Sequence, residues 1–250
     1  MNKKKKDYIP PKSIWDVYNG LNFDEPLESD DPRRVDTEAG RGDFSFSNLL
    51  QYLGVDPQTS SFKGKEPPKR VFTAFCGHRG CGKSTELRRL CNLLDRNDLF
   101  MVIFLNASFE LDTNNLRYAD VFMALAKKLF ERLEKESVSI DQIYLDNLES
   151  WSKQRIIIEE KKREYTIDIN AGIEAKSGIP FLGQLFARMT TAFKNNATYK
   201  DELRQSITNT FSQFAFAFNG LLAAVREALP KHAKRKALLI YCRRSREITA

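Results

Sequence analysis

Gly77-His78-Arg79-Gly80-Cys81-Gly82-Lys83-Ser84, with Thr85 directly behind, concentrates three glycines, a lysine and two hydroxyls in one short stretch. Glycines enter left-handed conformations at no steric cost, so such a run can curl with successive N–H groups aimed at one small volume. The spacing is G-x-x-x-x-G-K-[ST], and its chemistry is the replacement of a polyphosphate's hydration by converging donors. By the mechanics of that pattern the Lys83 ammonium reaches the β- and γ-phosphates, and the Ser84 hydroxyl ligates Mg²⁺. The candidate nucleotide-binding residues are Gly77, His78, Arg79, Gly80, Cys81, Gly82, Lys83, Ser84 and Thr85, with Ser84 also the candidate metal ligand.

Such a loop works only between a strand that delivers it and a helix whose N-terminus adds positive potential. The apolar run Val71-Phe72-Thr73-Ala74-Phe75-Cys76 predicts the strand, over about 70–76. Leu87, Leu90, Cys91 and Leu94 keep helical spacing to about Arg96. Leu99 to Leu105 is continuously apolar, as in a parallel strand covered on both faces. The three together predict a right-handed βαβ unit.

The remaining chain reads as mainly helical. Residues 1 to about 69 carry several prolines and one short helical pattern between Phe44 and Leu53, which suggests an arm wrapping the domain. Val121, Phe122, Leu125, Ala126, Leu129, Phe130 and Leu133 form the stripe of an amphipathic helix ending near Lys135, with Asp120 helping to cap it. A second helix is expected over Ile140–Lys162, a short strand or ribbon at Tyr165–Ile169, and a further helix from Ile179 carrying Phe181, Leu182, Leu185, Phe186 and Met189 on one side. The longest element is expected over Tyr199–Leu229. Its seam of Ile207, Phe211, Phe214, Phe218, Leu221 and Val225 fits packing on the chain's own helices better than a partner coiled coil. Pro230 should end it, Lys231 to Lys236 should be a solvated basic link, and Ala237 to Tyr241 should be a third buried strand.

With 250 residues, 42% hydrophobic and 29% charged, the chain has the composition of an ordinary globular protein. Its net charge of +7 lies partly in Lys3-Lys4-Lys5-Lys6 and partly in Arg243, Arg244 and Arg246, so a folded nucleic-acid face is only weakly indicated. No apolar run is long enough to span a bilayer and no secretion signal is evident, so a cytoplasmic protein without a membrane partner is expected. Cys76, Cys81, Cys91 and Cys242, with His78 and His232, lack zinc-site spacing. Cys81, near Lys83 and a helix N-terminus, could be acidified and oxidisable, although a small loop residue needs no such role.

The loop with Thr85-Glu86-Leu87 behind it, then Leu111-Asp112 and Tyr118-Ala119-Asp120, then Gly178-Ile179-Pro180-Phe181, resembles the bacterial AAA-like and STAND-like P-loop ATPases of the additional-strand class. The resemblance spans roughly residues 70 to 240, and the phosphate loop is its specific part. It implies an α/β P-loop NTPase fold with a parallel sheet and a long, mainly helical insertion. The expected divisions are 1–69 arm, 70–110 βαβ core, 111–233 insertion, and 234–250 third strand and tail. It also implies ATP and Mg²⁺ as cofactors and hydrolysis coupled to conformational change, with a second copy or a protein partner engaged through the insertion.

In that family the third strand ends in acids that complete the Mg²⁺ shell and orient water. Here Tyr241 is followed by Cys242-Arg243-Arg244-Ser245-Arg246, with no carboxylate until Glu247. One allowed set of codons from Leu239, with one base deleted from the second, reads L-F-I-V-D-G-L-E-K-L. A truncated product of a one-nucleotide insertion near Ile240 is therefore expected, against the alternative of a natural divergent C-terminus, and the alternative to an ATPase is a non-hydrolysing nucleotide-binding scaffold or signalling module. In the class's strand order, 5-1-4-3-2, the strand before the loop would lack both neighbours, so marginal stability is expected of the isolated chain.

Overall fold

The structure, a computed structural model, describes residues 10–20, 27, 31–33, 45–64, 73–78, 81–112, 115–160, 177–195, 197–232, 235 and 237–243. The chain divides into two compact units, Met1–Leu99 and Phe100–Ala250. Expectations for Val71, Phe72, Arg79, Gly80, the Lys3–Lys6 run, Tyr165–Ile169, Lys234, Lys236 and 244–250 lie outside the described residues.

Phe100–Ala250 is built on two parallel strands, β1 (Phe100–Asn106) and β2 (Ala237–Arg243), paired in register from Phe100 with Ala237 to Asn106 with Arg243. Parallel neighbours need a long crossover. Here it is the mainly helical stretch α4 (Ala107–Glu110), α5 (Tyr118–Lys135), α6 (Gln142–Glu160), α7 (Gly178–Asn195), α8 (Ala197–Asn209) and α9 (Phe211–His232). The mixed α and β class with a parallel pair thus matches the sequence reading.

The helices bury one core. Met101 and Ile103 of β1 join Met123, Leu129, Phe130 and Leu133 of α5, Leu182, Leu185, Phe186 and Met189 of α7, and Phe214, Phe218, Leu221 and Val225 of α9. Phe130 stacks on Phe186 at 5.6 Å, and Trp151 of α6 meets Phe214 at 4.7 Å. The seam of α9 is therefore consumed inside the chain, with Phe211 half-buried against Tyr118 and Phe122.

Several expectations need correction here. The strands are not covered on both faces: Val102 and Phe104 of β1 are half-buried, and on β2 Leu238 and Leu239 are half-buried while Ile240 is exposed. The long helix expected over Tyr199–Leu229 breaks at Thr210. The Thr210 N–H is shared between the carbonyls of Ser206 and Ile207, and its hydroxyl donates to Ser206 O at 2.9 Å while accepting from Trp151 Nε1 at 3.2 Å. Such back-bonding tightens and bends a helix. Thr210 O then accepts from Gln213 N and Phe214 N, which starts α9. Pro230 does not end α9 but lies inside its last turn, which runs on to His232, so the proline's missing N–H costs the helix at most one bond, two residues before it stops. Arg235 is not a solvated link residue: it is buried, its Nη1 donates to Phe100 O at 2.5 Å, and its Nε lies 3.1 Å from Glu136.

One buried ion pair organises the start of α5. Asp120 accepts from the Arg117 N–H at 3.0 Å, a half capping box, and takes both forks of the Arg204 guanidinium. Arg204 also donates to Asn115 O and to Asp201 Oδ1, and its side chain has 0% exposure. The expected capping role of Asp120 is present, and a cation from α8 is added to it.

In Met1–Leu99 the described elements are α1 (Ile14–Gly20), α2 (Phe46–Tyr52) and α3 (Lys83–Arg96). Ser45 caps α2 by accepting from Asn48 N at 3.2 Å, and Phe46 of α2 lies under the Arg89 guanidinium of α3 at 3.9 Å. α2 buries Phe46 and Leu50, whereas α1, a helix the sequence reading did not expect, buries nothing. Thr73–Cys76, the described part of the expected first strand, is not in a strand. A strand exists by its ladder, and among the described residues no neighbour pairs with this segment, so its backbone gains nothing from extension. Among the described residues no helix is long and apolar enough to cross a membrane.

Candidate functional site

The candidate site begins where α3 starts. Lys83 to Thr85 are the first residues of that 14-residue helix, and their N–H groups precede the first intrahelical bond, from Glu86 N to Gly82 O at 3.0 Å. Gly82 holds φ 80° and ψ 10°, a left-handed conformation that a side chain would strain, and so the chain turns abruptly from loop into helix. The apolar period of Leu90 and Leu94, both buried, fixes which face of α3 turns inward and leaves its first turn half-buried.

Within this turn the Lys83 side chain folds back over the loop. Its ammonium donates to Gly77 O at 2.7 Å and to His78 O at 2.5 Å, and it lies 3.5 Å from Cys81 Sγ. The loop closes as His78 O accepts from Cys81 N at 3.5 Å. A Cβ on Gly77 would stand 3.2 Å from Cys81 Sγ and 3.5 Å from Lys83 Cδ, which explains a glycine there by close approach. Lys83, Gly77, His78 and Cys81 are thus brought together, with Gly82 at the start of the helix. Ser84 and Thr85 occupy the same first turn, half-buried, with Thr85 Oγ1 accepting from Leu27 N at 3.3 Å. Arg79 and Gly80 lie outside the described residues.

The donor set suits an anion. Two neutral carbonyls hold the ammonium, and phosphate oxygens would offer it charge-assisted bonds roughly twice as strong. Three helix-terminal N–H groups and the α3 dipole favour the same charge. The hydroxyls of Ser84 and Thr85 supply hard oxygen ligands of the kind Mg²⁺ takes, with waters and phosphate oxygens completing its shell. Among the described residues no cluster of three His, Cys, Asp or Glu could hold a metal by itself.

Leu27 and Arg89 also act at this helix, and no sequence signal marks them. Leu27 acts through its backbone, which no side-chain pattern reveals. Arg89 pairs with the buried Glu86 at 3.5 Å and covers Phe46, contacts set by where α2 packs. At the far end of β2, Arg243 pairs in register with Asn106, so the carboxyl edge of the sheet carries an amide and a cation position where the resemblance asks for an acid.

The cysteines differ in burial. Burial pushes the Cys91 thiol up to about 12, helped by the Asp95 carboxylate, while Cys76 and Cys81 are exposed. A thiol with so high a pKa has almost no thiolate at pH 8, and thiolate is the reacting form. Iodoacetamide at pH 8 should therefore modify Cys76 and Cys81 and spare Cys91 until denaturant is added. Peptide mass spectrometry checks this, and early labelling of Cys91 would contradict the packing of α3. No family model, curated protein or solved structure matches the chain.

Proposed function

We propose that this chain is a P-loop nucleotide-binding protein that takes ATP with Mg²⁺ at the Gly77–Thr85 loop. The observation that carries the reading is the Lys83 ammonium, folded over the loop and held by Gly77 O and His78 O at the N-terminus of α3. In this reading the triphosphate replaces the two carbonyls as partner of Lys83. The first-turn N–H groups of α3 bind its oxygens, and Ser84 directs Mg²⁺.

In the AAA-like form of the reading, ATP turnover drives a conformational change transmitted through the helical insertion. The parallel adjacency of β1 and β2 supports it, because the order 5-1-4-3-2 places strands two and three side by side. Hydrolysis needs a carboxylate at the end of β2, and position 243 is Arg; the single-base deletion would put an aspartate at that position, opposite Asn106. As it stands, the chain is expected to bind ATP without turning it over, which also suits a nucleotide-dependent scaffold. Calorimetric titration with ATP and Mg²⁺, beside a phosphate-release assay, tests this. Saturable binding without released phosphate is expected, with Mg²⁺ enhancement reduced in Ser84→Ala. No binding of ATP or other nucleoside triphosphates would sink the reading.

A further inference from the structure

Among the described residues the most exposed apolar surface belongs to α1. Ile14, Trp15 and Tyr18 are 78%, 70% and 71% exposed, Val17 is 42% exposed, and the helix buries no residue. A seven-residue helix is too short to persist by propensity alone, yet its start is fully specified. Ser13 Oγ accepts from Asp16 N at 3.1 Å, while Asp16 Oδ2 accepts from Ser13 N at 2.9 Å and from Lys12 N at 3.0 Å. This reciprocal capping box fixes a helix that buries nothing of its own.

At about 100° per residue, Val17, Ile14, Tyr18 and Trp15 share an arc of about 160°, with Asp16 and Asn19 opposite. The only acid of the helix is therefore engaged in capping, on the polar side. Trp15 and Tyr18 meet edge to face at 6.3 Å on the apolar side, and both are the amphipathic ring types that settle at a bilayer's headgroup level. Upstream lie Lys3, Lys4, Lys5, Lys6 and Lys12 against the single acid Asp7. A polybasic run beside an amphipathic helix is the two-signal combination that anchors a protein on an anionic membrane surface.

We propose that α1, with the lysines before it, docks on an anionic lipid surface, with Ile14, Trp15, Val17 and Tyr18 entering the headgroup region. The helix lies on the membrane rather than spanning it, consistent with the absence of a spanning helix among the described residues. A lipid surface accounts for the lysines and the aromatic face together; an apolar protein groove would account for the face alone. The proposal is independent of the nucleotide reading.

The test is co-sedimentation of the full chain with vesicles of phosphatidylcholine alone and of phosphatidylcholine mixed with phosphatidylserine. Binding is expected only to the mixed vesicles, weakening as salt rises. Trp15 emission should shift to the blue and be quenched by brominated lipid, while Trp151, already buried, contributes no change. Trp15→Ala with Tyr18→Ala should lower partitioning about tenfold or more, because the two rings carry much of the apolar area that enters the headgroup region. Since α1 buries nothing, the melting of this variant should match that of the parent. Failure to bind mixed vesicles at low salt overturns the proposal, and so does binding that survives the double substitution or leaves Trp15 emission unchanged. A change of oligomeric state that depends on Trp15 and Tyr18, without lipid binding, would overturn it too and assign the face to a second copy.

Discussion

Lys83→Ala should weaken ATP binding about a hundredfold or more, because two charge-assisted contacts of about 1.5–3 kcal/mol each are lost together. The ammonium stands over Gly77 O and His78 O, and no other described cation shares those contacts. The backbone N–H groups at the start of α3 remain, so residual weak binding of phosphate is expected rather than none. Lys83→Arg should recover only part of the affinity, since a planar fork does not substitute for a compact ammonium. Competition with a fluorescent ATP analogue measures both variants. The helical core is the internal control: Lys83 lies outside Phe100–Ala250, so far-UV circular dichroism and melting of that unit should be unchanged. An alanine variant that binds ATP as tightly as the parent would remove the loop from the site.

Arg204→Ala is expected to have the largest effect on stability. It leaves the Asp120 carboxylate, 4% exposed, without its cation and also strips donors from Asn115 O and Asp201. Removing one partner of a buried pair costs about 3–5 kcal/mol, which for a unit of this size corresponds to a fall of about 10 °C in Tm. The Asp120 bond to Arg117 N survives the substitution, so the start of α5 should loosen without unwinding. The paired change Arg204→Met with Asp120→Asn should recover a large part of the loss, because no unpaired charge then remains buried. Thermal melting followed by circular dichroism reads both. If Arg204→Ala melts within about 2 °C of the parent, the pair is solvated and its place in the core is wrong.

The sequence reading expects marginal stability from a first strand without neighbours, but among the described residues Thr73–Cys76 is no strand and forms no ladder. The bulk of the apolar burial lies elsewhere, in the helical core around Phe130, Phe186 and Phe214. Loss of order at 73–76 would therefore leave most of that core intact, and an unfolding experiment should follow the two features with separate probes.

Local chemistry was legible in the amino-acid order alone. The G-x-x-x-x-G-K-[ST] spacing located the turn into α3, and residue periods located α3 and α5 and the start of α7 to within a few residues, because a helix's buried stripe is written at its own 3.6-residue period. Two apolar runs likewise marked β1 and β2. What the order could not contain was the partner of each group. Whether Thr73–Cys76 joins a strand depends on a neighbour's backbone, and the division of Tyr199–Leu229 at Thr210 comes with a bond from Trp151, 59 residues away in sequence. Whether Arg235 is a solvated cation or a buried clamp depends on Phe100 O and Glu136. The same holds for α1, a helix the sequence reading did not expect: only the folded chain shows Ile14, Trp15, Val17 and Tyr18 on one uncovered face. Periodicity and loop spacing are short-range properties of the chain, whereas strand ladders, helix breaks and buried charges are settled by contacts between residues far apart in sequence, whose energies exist only once the chain has folded.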